Sequence, residues 1–169
     1  MSNTRIAESI LSEVHQEAEV TKRVLNRIPG DKLAWRPHPR SFSLGQLGLH
    51  IAAVPGAVAE LALPDSVEAP AFIQPEPHDL QEILDTFSQS LEKVQRALGQ
   101  IDDARMAAPW TVTRNGVVVM SVPRAAIIRS IMMNHVYHHR GQLSVYLRLL
   151  DVPVPSIYGP SADENPFTA

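Results

Sequence analysis

Apolar residues recur at helical spacing through four stretches of this chain. In the first, Ile6, Ile10, Val14, Ala18, Leu25 and Ile28 fall on one side, with acids early and Lys22, Arg23 and Arg27 late, an order that suits the helix dipole. Pro29-Gly30 ends the stretch, and the connection DKLAWRPHPRSF is stiffened where Pro37 and Pro39 flank His38. Ser43 is then placed as an N-cap. A second helix is expected from about Leu44, with Leu44, Leu47, Ile51, Val54, Val58 and Leu61 as its stripe and Pro55 as a kink. After the Pro-rich linker LPDSVEAPAFIQPEP, a third begins near His78 or Asp79 and carries Leu80, Ile83, Leu84, Phe87, Leu91, Val94 and Leu98.

The pattern changes in WTVTRNGVVVMSV, where Asn115-Gly116 separates two β-prone runs and predicts a two-residue hairpin turn. Pro123 suits the first turn of a last helix, whose apolar series is Ile127, Ile128, Ile131, Met132, Leu143, Tyr146, Leu147 and Leu150. The tail DVPVPSIYGPSADENPFTA cannot extend it. Four long helical segments and one small β-hairpin predict an all-α fold, a four-helix bundle, in which sites are built from side chains on facing helices. No solenoid-period repeat or low-complexity tract is present.

A length of 169 residues suits one domain, residues 1–169, with a single core. With 44% hydrophobic and 20% charged residues and a net charge of -3, the chain is expected to be globular and soluble, with no nucleic-acid partner. The N-terminus lacks the apolar run of a signal peptide and no eighteen-residue apolar run occurs, so no membrane partner is expected and the cytoplasm is the default compartment.

The absence of cysteine removes disulfides, thiolate nucleophiles and sulfur ligands, so a metal site must be built from nitrogen and oxygen. GxGxxG, GxxxxGK[ST] and GxSxG motifs are missing, and Glu60, Glu82 and Asp85 read as solvated helix faces.

The candidate chemistry lies in NHVYHHRGQLSVYLR, residues 134–148, where three histidines interrupt an apolar helix. Residues four apart on a helix share a face with Cβ atoms roughly 5–6 Å apart, so His135 and His139, or His135 and His138, can point at one ion. A catalytic zinc uses three protein ligands and keeps one position open. His50, beside the stripe midway along the second helix, is the best third ligand; His15, His38 and His78 are weaker. Spacing alone leaves two readings open, because an i,i+4 histidine pair also arises as ordinary packing and this one lacks the glutamate of HExxH.

SFSLGQLGLHIA, followed by HVYHHRGQLSVYLRLLDVPVPSIYGPSADE, resembles the DinB/YfiT-like family of small metal-binding four-helix bundles over most of the chain. The resemblance implies an up-down-down-up bundle with a long crossover between the second and third helices, matching the linker at residues 63–77, and a homodimer. It implies that His50, His135 and His139 hold a divalent metal, zinc or nickel, with His138 an off-axis neighbour. It further implies either a metal-dependent enzyme, a thiol S-transferase or hydrolase acting on a small molecule with a low-molecular-weight thiol as possible partner, or a non-catalytic, stress-related bundle stapled by its metal. Gln46, Tyr137 and Gln142 are candidates to orient the ligand rings, while Arg140 is open to two roles, anchoring an anionic substrate or packing.

Overall fold

Ser43 fixes the start of the helix that carries His50. Its Oγ accepts from the Gln46 backbone N–H at 3.0 Å while Gln46 Oε1 accepts from the Ser43 N–H at 3.0 Å, a reciprocal capping box. The backbone N–H groups of Leu44 and Gly45 donate to Trp35 and Leu33 carbonyls at 2.8 and 2.9 Å, so the preceding connection completes the cap. In this computed structural model, which describes residues 4–71 and 73–167, the chain is mostly helical with a small three-stranded sheet.

The elements in order are α1 (Arg5–Leu25), α2 (Leu44–Leu61), β1 (Ser66–Glu68), α3 (Leu80–Leu98), α4 (Asp103–Ala107), β2 (Pro109–Arg114), β3 (Val117–Pro123) and α5 (Arg124–Ile127). A π-helical stretch, Ile128–Asn134, then runs directly into α6 (His135–Leu149). The first three predicted helices are present. The first stops at Leu25 rather than Ile28, because Asn26 turns its own amide onto the Lys22 carbonyl at 2.7 Å.

Apolar residues dominate all sides of α2, and burial follows: Leu44, Leu47, Ile51, Ala52 and Ala59 are buried along its length. Among the described residues α2 is the one helix long and apolar enough to cross a membrane, and 61% of that window is buried inside the protein. It packs closely on α3, where Gly56 leaves no room for a side chain: a Cβ there would meet Ser90 Cα at 2.8 Å. The Gly56 N–H donates to Ser90 Oγ at 2.7 Å across the same contact.

The predicted turn is present, with Asn115 at φ 53° and Gly116 at φ 75°, the paired left-handed conformation that a two-residue hairpin requires. The hairpin is nevertheless part of a larger sheet than expected. Ser66–Glu68, inside the Pro-rich linker, adds in parallel to β2, and the Glu68 carboxylate accepts from Thr113 Oγ1 and the Asn115 N–H at 2.6 Å each. Three residues are too few to show alternation, so the strand is set by its partner.

The last helix differs from expectation in its winding. The π-helical stretch shifts the apolar series by one residue, so that Met132 and Met133 are buried whereas Ile131, expected in the stripe, is 42% exposed. Beyond it, Val136, Leu143 and Leu147 of α6 pack with α1, α2 and α3, together with Val154 of the tail.

Candidate metal site

The three histidines of the candidate site arrive from two helices. His50 sits on α2 between the buried Leu49 and Ile51, and is itself 9% exposed. His135 and His139 occupy the first and second turns of α6, half-buried and four residues apart. Their rings converge: His50 Nε2 lies 2.8 Å from His135 Nε2, and His139 Nε2 lies 3.1 Å from the same atom. All three candidate ligand nitrogens fall within 4.8 Å of one another.

The donor set fits a divalent ion. Tetrahedral zinc holds imidazole nitrogens at about 2.0–2.1 Å, which places them about 3.3 Å apart, within about 0.5 Å of the two separations from His135 Nε2. Among the described residues no carboxylate joins the group, so three imidazoles form the whole protein donor set. Phe42, half-buried ahead of α2, flanks the rings with its centroid 5.7 Å from His50 and 6.3 Å from His139.

Electrostatics keeps these rings neutral. Burial, then the other two rings, pushes His50 down to about 4, against an opposing hydrogen bond with the Gln74 side chain. His135 is lowered by burial and then by His138. His139 is lowered chiefly by burial, partly opposed by Gln142, whose Oε1 is 2.7 Å from His139 Nδ1. At neutral pH all three rings are therefore unprotonated bases, the form that metal coordination requires.

The remaining candidates are sorted by position. His138 is exposed beside the cluster, its ring centroid 5.0 Å from that of His139. His15, His38 and His78 are exposed and outside the group. Tyr137 turns away to donate to Glu13 Oε1 at 3.0 Å. Gln46 caps α2 and donates from Nε2 to the Gln74 carbonyl at 3.1 Å.

Arg140, left open between anion anchor and packing, is 1% exposed. Its guanidinium pairs with Glu17 at 2.7 Å, donates to Thr21 Oγ1 at 3.0 Å and to the Tyr158 hydroxyl, and lies over the Tyr137 and Tyr158 rings, 5.3 and 5.0 Å from their centroids. It therefore fastens α6 to α1 and to the tail, with its charge already paired. A small, mostly apolar pocket of about 30 Å³, lined in part by Val14, Ala18, Phe87 and Met133, has no histidine on its wall.

Gln74 was not legible as a site residue. It lies in the linker between α2 and α3, where neither periodicity nor ligand spacing singles out a glutamine, and it reaches His50 only because the linker folds back.

Comparison with known proteins places this arrangement in context. A family model described as DinB family matches residues 1–166. The chain is 27% identical over 152 residues to the uncharacterized protein YrdA of Bacillus subtilis (strain 168), covering 88% of this chain and 85% of that one. Among solved structures, a DinB-like protein from Bacillus cereus ATCC 10987 superposes with a TM-score of 0.70 at 23% identity, covering 89% of this chain and 97% of that one. A DinB-like protein from Bacillus subtilis gives 0.69 at 21% identity, covering 88% and 96%.

Proposed function

From a chain that belongs to the DinB family and brings three neutral imidazoles to one point, we propose a metal-dependent enzyme acting on a small molecule. His50, His135 and His139 hold the ion through Nε2, and the ion is zinc or nickel, both of which suit imidazole ligands. When bound, such an ion lowers the pKa of a bound water or thiol and polarises a carbonyl.

The observation that carries this reading is the three-residue donor set. With no fourth protein ligand among the described residues, coordination positions stay available to water, a low-molecular-weight thiol or substrate, whereas a purely structural ion is enclosed by four protein ligands. Gln142 holds the His139 ring by its far nitrogen, and the Phe42 ring shields one side of the cluster from water. Thiol S-transfer and hydrolysis are the two reactions these residues serve, since each needs an activated small nucleophile and no nucleophile from the protein.

The frame is best read as a four-helix bundle of α1, α2, α3 and α5–α6, with up-down-down-up order and a long α2–α3 crossover, forming one domain over residues 1–169. The shared core of α1, α2, α3 and α6 supports that reading. A cytoplasmic homodimer is the matching expectation for the assembly.

Elemental analysis of untagged protein tests the metal reading. Near-stoichiometric metal in the wild type and its loss in His50→Ala, His135→Ala and His139→Ala, but not in His138→Ala, is the expected result. Metal absent from the wild type even after incubation with zinc or nickel overturns it. Metal present without thiol transfer or hydrolysis across a substrate panel would assign the ion a stapling role instead.

A further inference from the structure

The outer edge of the sheet is apolar where water should meet it. Among the described residues β3 has one strand neighbour, β2, so its other edge is open. Its first four residues are exposed hydrophobics: Val117 66%, Val118 59%, Val119 57% and Met120 37%. Strands that face water alternate apolar and polar side chains, whereas an unbroken apolar run belongs to strands covered on both faces. The segment VVVMSV, residues 117–122, also lacks the lysine or internal proline that commonly keeps a strand edge from pairing.

Two further features make this edge complementary to itself. Val119 is a bulge: Val118 stands opposite Thr113 and Met120 opposite Val112, so β2 has no residue for Val119. The regular run is therefore Met120–Val122, and a two-fold axis at Ser121 pairs it with a second copy in antiparallel register, Met120 opposite Val122 and Ser121 opposite itself. In that register the hairpin tip of each copy, Val117 and Val118, projects past Pro123 of the other. There Pro123 lines a groove with Ile6, Ile10, Ala125 and Ala126, in which Ile6 is 39% exposed. The strand itself carries no charge, so like-charge repulsion along the seam does not oppose the contact.

Resting on the homodimer expectation above, we propose that β3 is the seam of that dimer. Two copies add β3 to β3 in antiparallel register, forming one continuous sheet, and each hairpin tip covers the Ile6 groove of the other. Main-chain hydrogen bonds supply the pairing, and burial of Val117, Val118 and Ile6 supplies the apolar part. A ladder from Met120 to Val122 is about 10 Å long, narrow against the roughly 800 Å² that each partner buries in a standard interface. The tip-in-groove contact, made twice by the two-fold, therefore decides the affinity.

Sedimentation velocity of the full-length protein over a dilution series reads the association directly. Val118→Lys puts a charge on the strand edge and Ile6→Glu puts one in the groove; both positions are exposed in the single chain, so circular dichroism should be unchanged. The expected result is a reversible wild-type dimer and association at least about tenfold weaker in each variant, because the two-fold repeats every substitution. The chain has no cysteine, so Ser121→Cys adds a single thiol that should form a disulfide-linked dimer under oxidised glutathione, since residues directly opposed on antiparallel strands lie within disulfide reach. Gln89→Cys, exposed on α3, should not cross-link. A wild-type dimer that both charged variants leave intact, with no cross-link at position 121, overturns the seam while leaving the homodimer standing. A wild type monomeric at every concentration overturns both, and leaves the β3 edge to a different protein.

Discussion

His50 Nε2 and His135 Nε2 stand 2.8 Å apart although 85 positions separate the residues in sequence. Two imidazolium ions at that distance would repel strongly, so the contact is compatible with a proton on at most one of the two atoms. Folding therefore brings together bases that are easier to leave neutral than to charge.

Stability of the metal-free protein should consequently fall in mild acid. The His50 pKa is depressed from 6.5 to about 4 in the folded protein, so between those values the unfolded chain binds more protons. Stability is full above pH 6.5, declines as pH drops toward about 4, and levels off below it. His50 contributes to this loss, each tenfold drop in proton affinity on folding corresponding to about 1.36 kcal/mol. Urea unfolding at pH 7.5 and pH 5 checks the slope, which His50→Gln should flatten.

Loading with zinc should raise the unfolding temperature, by an amount that grows with the logarithm of the ligand excess. An ion that binds only the folded chain stabilises it by about 2.7 kcal/mol at a hundredfold excess over Kd. EDTA should reverse the shift, and the His135→Ala variant should show none. A wild-type melting curve unchanged by saturating zinc and nickel would contradict the assignment.

Removing the Arg140 guanidinium should be among the most damaging single changes. Arg140→Leu leaves the Glu17 carboxylate with the Tyr158 hydroxyl but without its countercharge, and strips Thr21 Oγ1 of its donor, a loss of about 1–3 kcal/mol for a partly solvated pair. Combining Arg140→Leu with Glu17→Leu should cost less than the sum of the two, which a double-mutant cycle in denaturant measures. Limited proteolysis should also cut the tail faster in Arg140→Leu, since Tyr158 loses one of its two hydrogen-bond partners and keeps only Glu17.

Gly56→Ala tests the approach of α2 to α3. The added methyl would sit 2.8 Å from backbone Cα of Ser90, an atom that cannot swing aside, and overpacking of this kind costs about 1–3 kcal/mol. A neutral effect on the denaturation midpoint would show that the two helices separate freely.

Local signals carried much of this architecture. The Asn115-Gly116 turn was readable because two successive left-handed residues are cheap for few dipeptides, and Ser43 with Gln46 was readable as a cap because the motif satisfies its own backbone. The pairing of His135 with His139 follows from helical geometry, and His50 from its place beside a core stripe. What escaped depends on contacts between distant segments. β1 exists through its pairing with β2, Gln74 reaches Gln46 through the folding back of the linker, and Arg140 is buried by partners on α1 and in the tail. The π-helical winding escaped for another reason: an i,i+4 series and an i,i+5 series share most of their apolar positions over two turns, so Ile131 and Met133 could exchange places without altering the pattern.

That winding has a bearing on how the protein tolerates change. A π-helical stretch holds one residue more than an α-helix of the same length, and here it lies between the hairpin and His135. Deleting a single residue from 128–134 would let the segment relax into ordinary α-helix without shortening its span. Elsewhere along the same rod, a deletion would rotate everything beyond it by about 100° and carry His135 and His139 away from His50. Ile128–Asn134 is thus a slack coupling, the place where the hairpin end of the molecule can lose length while the histidine end keeps its phase.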